Sequence, residues 1–207
     1  MATAPPAPSV WERVLCAQFD DLDPGLRTYF ATTPDGFAGE GHGTFDTAGS
    51  RVRVLRPLLA WMARHEILFP EIEADVPFTI VNTPSADGSL GAVRTFRFTR
   101  GDRIVSDRIS VVDGRLVDRI GRGGRLEVVL GVQARTGGMR LRSHGLAVHV
   151  AGRRIPLPPV VRVTVDERFA EGLQRVDVRL RSPLIGEVFR YAGTFTYSHV
   201  RIERSRG

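Results

Sequence analysis

The 207-residue chain is 42% hydrophobic and 25% charged, as ordinary globular proteins are, and at roughly 150 residues per domain its length favours one larger unit over two. One cysteine, Cys16, excludes a disulfide framework and a thiolate zinc site, and no apolar run approaches the roughly 18 residues of a membrane-spanning helix. The net charge of +6 comes from 29 basic residues, all arginine, spread along the chain between Asp, Glu and Val; it reads as a high-GC composition rather than the one-faced patch of a nucleic-acid binder.

Residues 1–9 are rich in Ala and Pro and lack a basic-then-apolar leader, which predicts a disordered tail and no secretory signal. Ser9 followed three residues later by Glu12 has capping-box spacing. Val10, Val14, Leu15 and Phe19 then recur with helical period and predict an amphipathic helix over 10–19. Pro24 suits the first turn of a short helix over 24–31, with Leu26, Tyr29 and Phe30 as inward packing residues. Residues 34–50 are glycine-rich, with Gly39, Gly41 and Gly43 alternating with Glu40 and His42; glycine inside a strand marks a bulge or a close backbone approach. Pro57 opens the longest helix, 57–66, whose apolar face is Leu58, Leu59, Met62 and Ala63.

From residue 75 the hydrophobic period changes from that of a helix to that of a strand. About ten short strands follow, separated by Gly and Asp turns such as those at 85–89, 112–115, 121–124 and 136–138. Without intervening helices there are few parallel crossovers, and a sheet this wide avoids exposed edges by curling. The expected fold class is mainly β (α+β): N-terminal helices followed by about ten antiparallel strands in a barrel or strongly curved sheet. It forms a single β-rich domain over 10–204.

Most strands show one apolar and one charged face, as in Val176, Val178 and Leu180 against Arg175, Asp177 and Arg179. The last strand differs. Tyr191, Gly193, Phe195, Tyr197 and His199 share one face, an aromatic surface with hydroxyl tips that either lines a ligand cavity or fills the barrel centre.

No nucleophile elbow, phosphate loop, zinc-protease or dinucleotide motif occurs, so no metal and no cofactor are called for. The five histidines are scattered; His144 and His149 lie on opposite faces of a regular strand, and His65 suits a helix C-terminus. What remains for acid–base chemistry is Glu40 with His42, two apart on one face of a strand, where their titrations can couple. A solvent-facing pair would look the same in sequence.

Several positions together resemble family 4166 of the domains of unknown function. They are Gly39 and Gly41, Pro70, Phe96 with Arg97 or Phe98, Ser106, Asp118 with Arg119 and Gly121, and Leu157 with Pro158. The ending carries Pro183, Leu184 and Gly186, then Tyr191 and Gly193. The likeness covers most of residues 24–197, and the ending is its most specific part. Asp118 stands where the family has Glu. The resemblance implies an actinobacterial protein of a kind also found fused behind saccharopine-dehydrogenase-like reductases. It adds Arg97 and Asp118 to Tyr191, Phe195, Tyr197 and His199 as ligand-binding candidates, and implies no activity.

The first functional reading is a cytoplasmic β-barrel that binds a hydrophobic or polyketide-like small molecule in an internal pocket. It would act as a cofactor-free cyclase or isomerase of secondary metabolism, with Glu40 and His42 moving one proton. The second is a non-enzymatic ligand-binding or partner-docking accessory module. The third is binding of an anion, nucleic acid or lipid headgroup, through the arginine surface, with a steep salt dependence. No membrane span is expected, the charge pattern does not favour nucleic acid, and a homodimer is compatible with each reading.

Overall fold

The computed structural model describes residues 7–202; the tail expected over 1–9 falls for residues 1–6 outside the described residues, as do 203 and 204. Ala7 and Pro8 belong to no helix or strand, and the Ala7 carbonyl accepts a hydrogen bond from the Thr32 hydroxyl at 3.0 Å. Ser9 caps the first helix, α1 (Val10–Leu15), in a reciprocal box with Glu12. The α-helix stops at Leu15 because Cys16 takes a φ of 50°; a 3₁₀ turn carries the chain to Phe19, so the helix expected over 10–19 is only half α-helical. α2 (Pro24–Phe30) is capped by the Asp23 carboxylate and starts on proline.

The glycine-rich segment is a central strand, β1 (Phe37–Gly49). α3 (Arg56–Ala63) follows, shorter than the expected 57–66 and with Leu59 rather than Leu58 as its buried leucine. Ten strands complete the chain: β2 (Ile72–Pro84), β3 (Leu90–Phe98), β4 (Gly101–Val112), β5 (Arg115–Ile120) and β6 (Leu126–Arg135), then β7 (Gly138–Val150), β8 (Arg153–Leu157), β9 (Arg162–Ala170), β10 (Leu173–Ser182) and β11 (Gly186–Arg201). β7 is one long strand, bent where its pairing with β6 slips between Val129 and Leu130.

All pairings are antiparallel, in the order β6-β5-β4-β3-β2-β1-β11-β10-β9-β7, and β6 also pairs with β7, which closes a ten-strand barrel. β8 hangs outside this ring on the second half of β7. β1 is the strand that lets the sheet close tightly. A Cβ on Gly39 would collide with the Tyr197 hydroxyl, and one on Gly43 with the Thr194 carbonyl and Phe195, so only glycine admits the neighbouring β11 this closely.

The two barrel ends are covered differently. At the end where β2 turns into β3 and β4 into β5, α1 and α2 seat Val10, Leu15, Leu26 and Phe30 against Ile109, Val128 and Leu141. At the other end residues 50–71 cross the opening. Ser50 Oγ donates to the Val188 carbonyl at 2.6 Å, and the carbonyls of His65 and Glu66 accept from the N–H groups of Arg122 and Ser106. β5 is too short to pair with the first half of β4, and this segment takes its place. Phe69 packs on Phe96, Phe98 and Phe189 with centroids 4.8–5.0 Å apart, and Phe45 stacks on Phe78 at 3.8 Å. Rings therefore fill the α3 end of the barrel. The middle is not filled.

Candidate functional site

A cavity of about 430 Å³ occupies the barrel interior, a size that holds a small organic molecule. Most of its wall is aliphatic or aromatic, with Ile80, Val105, Val165, Val176, Val178 and Phe195 among the lining residues. Period-2 alternation decides what else faces inward. On β3 the inward set is Ala92, Arg94 and Phe96; on β4 it is Val105, Asp107 and Ile109; on β5 it is Leu116, Asp118 and Ile120; on β9 it is Val163, Val165 and Glu167. Four ionisable side chains thus open onto a largely apolar cavity. Tyr29 from α2, Asn82 from β2, and Tyr191 and Tyr197 from β11 join them on its wall.

Arg94 and Asp107 form an ion pair across β3 and β4. Asp107 retains 4% exposure and Arg94 20%, and Arg94 lies on the cavity wall, so its accessible part opens onto the cavity. Burial alone would weaken the Arg94 charge, but Asp107, with Tyr191 and Tyr29 nearby, raises its proton affinity on balance. Asp118 lies diagonally from Asp107, since Ile109 is its direct partner across β4 and β5. Burial raises the Asp118 pKa well above the carboxylate range, the Asp107 charge raises it further, and Arg94 offsets only part. Burial and the Asp107 charge thus both favour the protonated form of Asp118.

Asp107 Oδ1 and Asp118 Oδ1 are both buried and have no hydrogen-bond partner among the described residues. A buried polar atom without a partner costs about 1–3 kcal/mol, so Asp107 and Asp118, both on the cavity wall, are carboxyls whose hydrogen-bonding capacity the fold leaves unused.

Across the cavity, burial pushes the Glu167 carboxyl up to about 7, against the opposing hydrogen bond from the Gln174 amide and the Arg94 charge. Burial pushes the Tyr191 hydroxyl up to about 12, and raises Tyr29 and Tyr197 as well, which keeps all three phenols neutral donors. Asn82 Nδ2 donates to Tyr197 Oη at 3.3 Å.

The residues expected from sequence divide sharply. Tyr191, Phe195, Tyr197 and Asp118 line the cavity. His199 continues the β11 face beyond Tyr197, its ring 5.8 Å from the tyrosine ring and outside the cavity wall. Arg97 is exposed on the outer surface, one residue out of phase with the inward Arg94 and Phe96. Glu40 and His42 also lie outside. They meet at 3.0 Å (His42 Nε2 to Glu40 Oε1) with 33% and 60% of their side chains exposed, because the glycines of β1 take the inward positions and leave the alternate residues to solvent. The structure does not bring this pair to the cavity.

Sequence reasoning passed over Arg94, Asp107, Glu167, Asn82 and Tyr29. A signal existed for three of them: Arg94, Asp107 and Glu167 are each a charged residue on the apolar parity of an alternating strand. Among the described residues no three His, Cys, Asp or Glu side chains converge as metal ligands, and no helix is long and apolar enough to cross a membrane.

Residues 22–195 match the family model described as a domain of unknown function (DUF4166). No curated protein matches the chain.

Proposed function

We propose that this chain, which belongs to the DUF4166 family of domains of unknown function, binds in its barrel cavity a mostly apolar small molecule bearing a carbonyl or hydroxyl group. The observation that carries this reading is the pair of carboxyls Asp107 and Asp118, each with one oxygen unpartnered among the described residues, on the wall of a roughly 430 Å³ apolar cavity. A neutral Asp118 donates to a carbonyl oxygen, the Asp107 oxygen accepts from a hydroxyl, and the aliphatic walls take the hydrocarbon.

The same groups support a cofactor-free isomerase or cyclase acting on a polyketide-like molecule, with the proton carriers moved from Glu40 and His42 to the cavity. With its pKa near neutrality, Glu167 suits removal of a proton from the carbon beside the carbonyl. Asp118 holds the developing enolate oxygen by its hydrogen bond, and return of the proton to the same or a conjugated carbon completes the isomerisation with no net oxidation. The accessory-module reading, carriage without chemistry, is favoured by the segments that cover both barrel ends.

Prodan, an apolar naphthalene with a propionyl ketone, is a suitable probe. Its emission should shift to the blue and saturate at one molecule per chain. Asp118→Leu should weaken that binding about tenfold while leaving the fold as stable or more stable, since it removes a buried group that lacks a partner. Unchanged binding in Asp118→Leu would place the ligand elsewhere. Deuterium uptake beside the bound ketone in D₂O, lost in Glu167→Gln, separates proton transfer from carriage.

A further inference from the structure

Between residues 47 and 65 the chain has four arginines, Arg51, Arg53, Arg56 and Arg64, and no Asp or Glu. All four are exposed, and none takes part in an ion pair among the described residues. The acids beside the segment are already engaged, Glu66 by Arg122 and Ser106, and Glu71 by Arg103. The segment that crosses one end of the barrel therefore carries four exposed positive charges with no acid of its own to offset them.

Apolar side chains protrude from the same segment. Val54, Leu58 and Trp61 are 78%, 51% and 48% exposed, and their spacing of four and three residues makes them neighbours along α3 and the turn that leads into it. α3 is fixed from below by Leu59, Met62 and Ala63, so these three cannot turn inward. The β10–β11 turn lies at the same barrel end and projects Leu184 at 91% exposure, with Ile185 at 49%.

Exposed apolar side chains among unpaired cations, with a tryptophan at the boundary, fit the interface of an anionic bilayer: side chains enter the acyl boundary while guanidinium groups meet lipid phosphates. We propose that residues 51–64, with the Leu184–Ile185 turn, dock this barrel end onto a membrane surface rich in anionic lipid. A symmetric dimer through the same face would set its four arginines against their copies, which like-charge repulsion disfavours. Nucleic acid would draw on the arginines but leave Val54, Leu58 and Leu184 in water. The inference is independent of what the cavity holds.

Flotation with phosphatidylcholine vesicles, with and without phosphatidylglycerol, tests it. The full chain should float only with the anionic vesicles and release as salt rises. Trp11 is buried and Trp61 is the other tryptophan, so a blue shift of emission on binding, lost in Trp61→Phe, reports entry of α3 into the interface. Arg53→Glu with Arg64→Glu should lower partitioning at least about tenfold, whereas Arg97→Glu with Arg115→Glu, the same charge change on the barrel wall, should lower it far less. Leu58→Ser with Leu184→Ser should lower it while leaving duplex DNA retention unchanged. No flotation with anionic vesicles overturns the proposal, as does equal loss in the two charge-reversed pairs. Concentration-dependent dimerisation abolished by Trp61→Ala would overturn it in favour of a second copy of the chain, and DNA retention abolished by Arg53→Glu with no vesicle binding in favour of nucleic acid.

Discussion

The inner and outer walls of one barrel treat the same side chains in opposite ways. Asp118 and Asp177 are both aspartates within antiparallel strands. Burial opposes ionisation of each, yet on the outer wall hydrogen bonds from Arg179 and Arg190 outweigh it and hold Asp177 below the ordinary carboxylate range. On the inner wall Asp118 has no such fence, and burial with the Asp107 charge drives it upward. The two glutamates repeat the contrast. Burial works against Glu127, but Arg154 and His149 on the outer wall bring it down, while Glu167 inside rises to about 7. Asp177 and Glu127 are finished structural pairs; Asp107 and Asp118 keep unused hydrogen-bonding capacity on a cavity wall, which is the signature of a site.

The largest test of this contrast removes one guanidinium from each wall. Arg94→Met leaves Asp107 buried without its partner and should cost about 3–5 kcal/mol in urea unfolding. Arg190→Met leaves Asp177 still held by Arg179 in a partly solvated setting and should cost about 1 kcal/mol or less. The double variant Arg94→Met, Asp107→Leu should recover most of the loss, because no buried charge is then left alone. Equal costs on the two walls would mean that water reaches the inner pair freely, and the cavity would not be the secluded site described.

Protons give a second, smaller test. Glu167 binds its proton in the folded chain up to about 7 but only up to about 4.5 when unfolded. Between those values the folded chain holds more protons than the unfolded one, so its stability falls as pH rises. The favourable contribution is complete below about 4.5 and lost by about 7, and amounts to at most about 3 kcal/mol. Asp118 adds to the same slope. Glu127 and Asp177 run the other way: their contribution is present at neutral pH and is lost on acidification. Glu167→Gln should therefore gain stability relative to the parent between about pH 5 and about pH 8, and a parallel pair of stability curves would sink the assignment.

How far the barrel could be read in advance depended on which residues broke pattern. Alternation of Val, Ile and Leu placed the hairpins of β2 to β6 and the antiparallel class, because period-2 burial is local information. The glycines of β1 hid its central place in the sheet, since the property that lets β11 approach, the absence of a side chain, also removes the hydrophobic signal. Closure between β6 and β7 gives both strands ordinary neighbours, so nothing in their sequences distinguishes a barrel from a curved sheet. For the site, the β11 rings were legible as a face. Arg94, Asp107 and Glu167 were visible only as charges on the wrong parity, and their convergence depends on strand registers that no single strand encodes.

The smallest expected effect bears on the pair that sequence spacing favours most. Glu40 and His42 meet on the outer wall, more than half of the His42 side chain lies in solvent, and their neighbours in register, Ser198 and Thr196, are uncharged. An exposed pair of this kind contributes between about zero and 1 kcal/mol. Glu40→Gln and His42→Ala should each change stability by less than about 0.5 kcal/mol and leave prodan affinity and deuterium uptake at the parent level. These null results have force only beside a functional Gly39→Leu control, which keeps the outer pair intact but drives a side chain into the space of the Tyr197 hydroxyl on the cavity wall. If that inward change weakens prodan binding and the two outward changes do not, one strand has separated the two walls residue by residue. If His42→Ala abolishes uptake instead, the chemistry belongs to the outer wall.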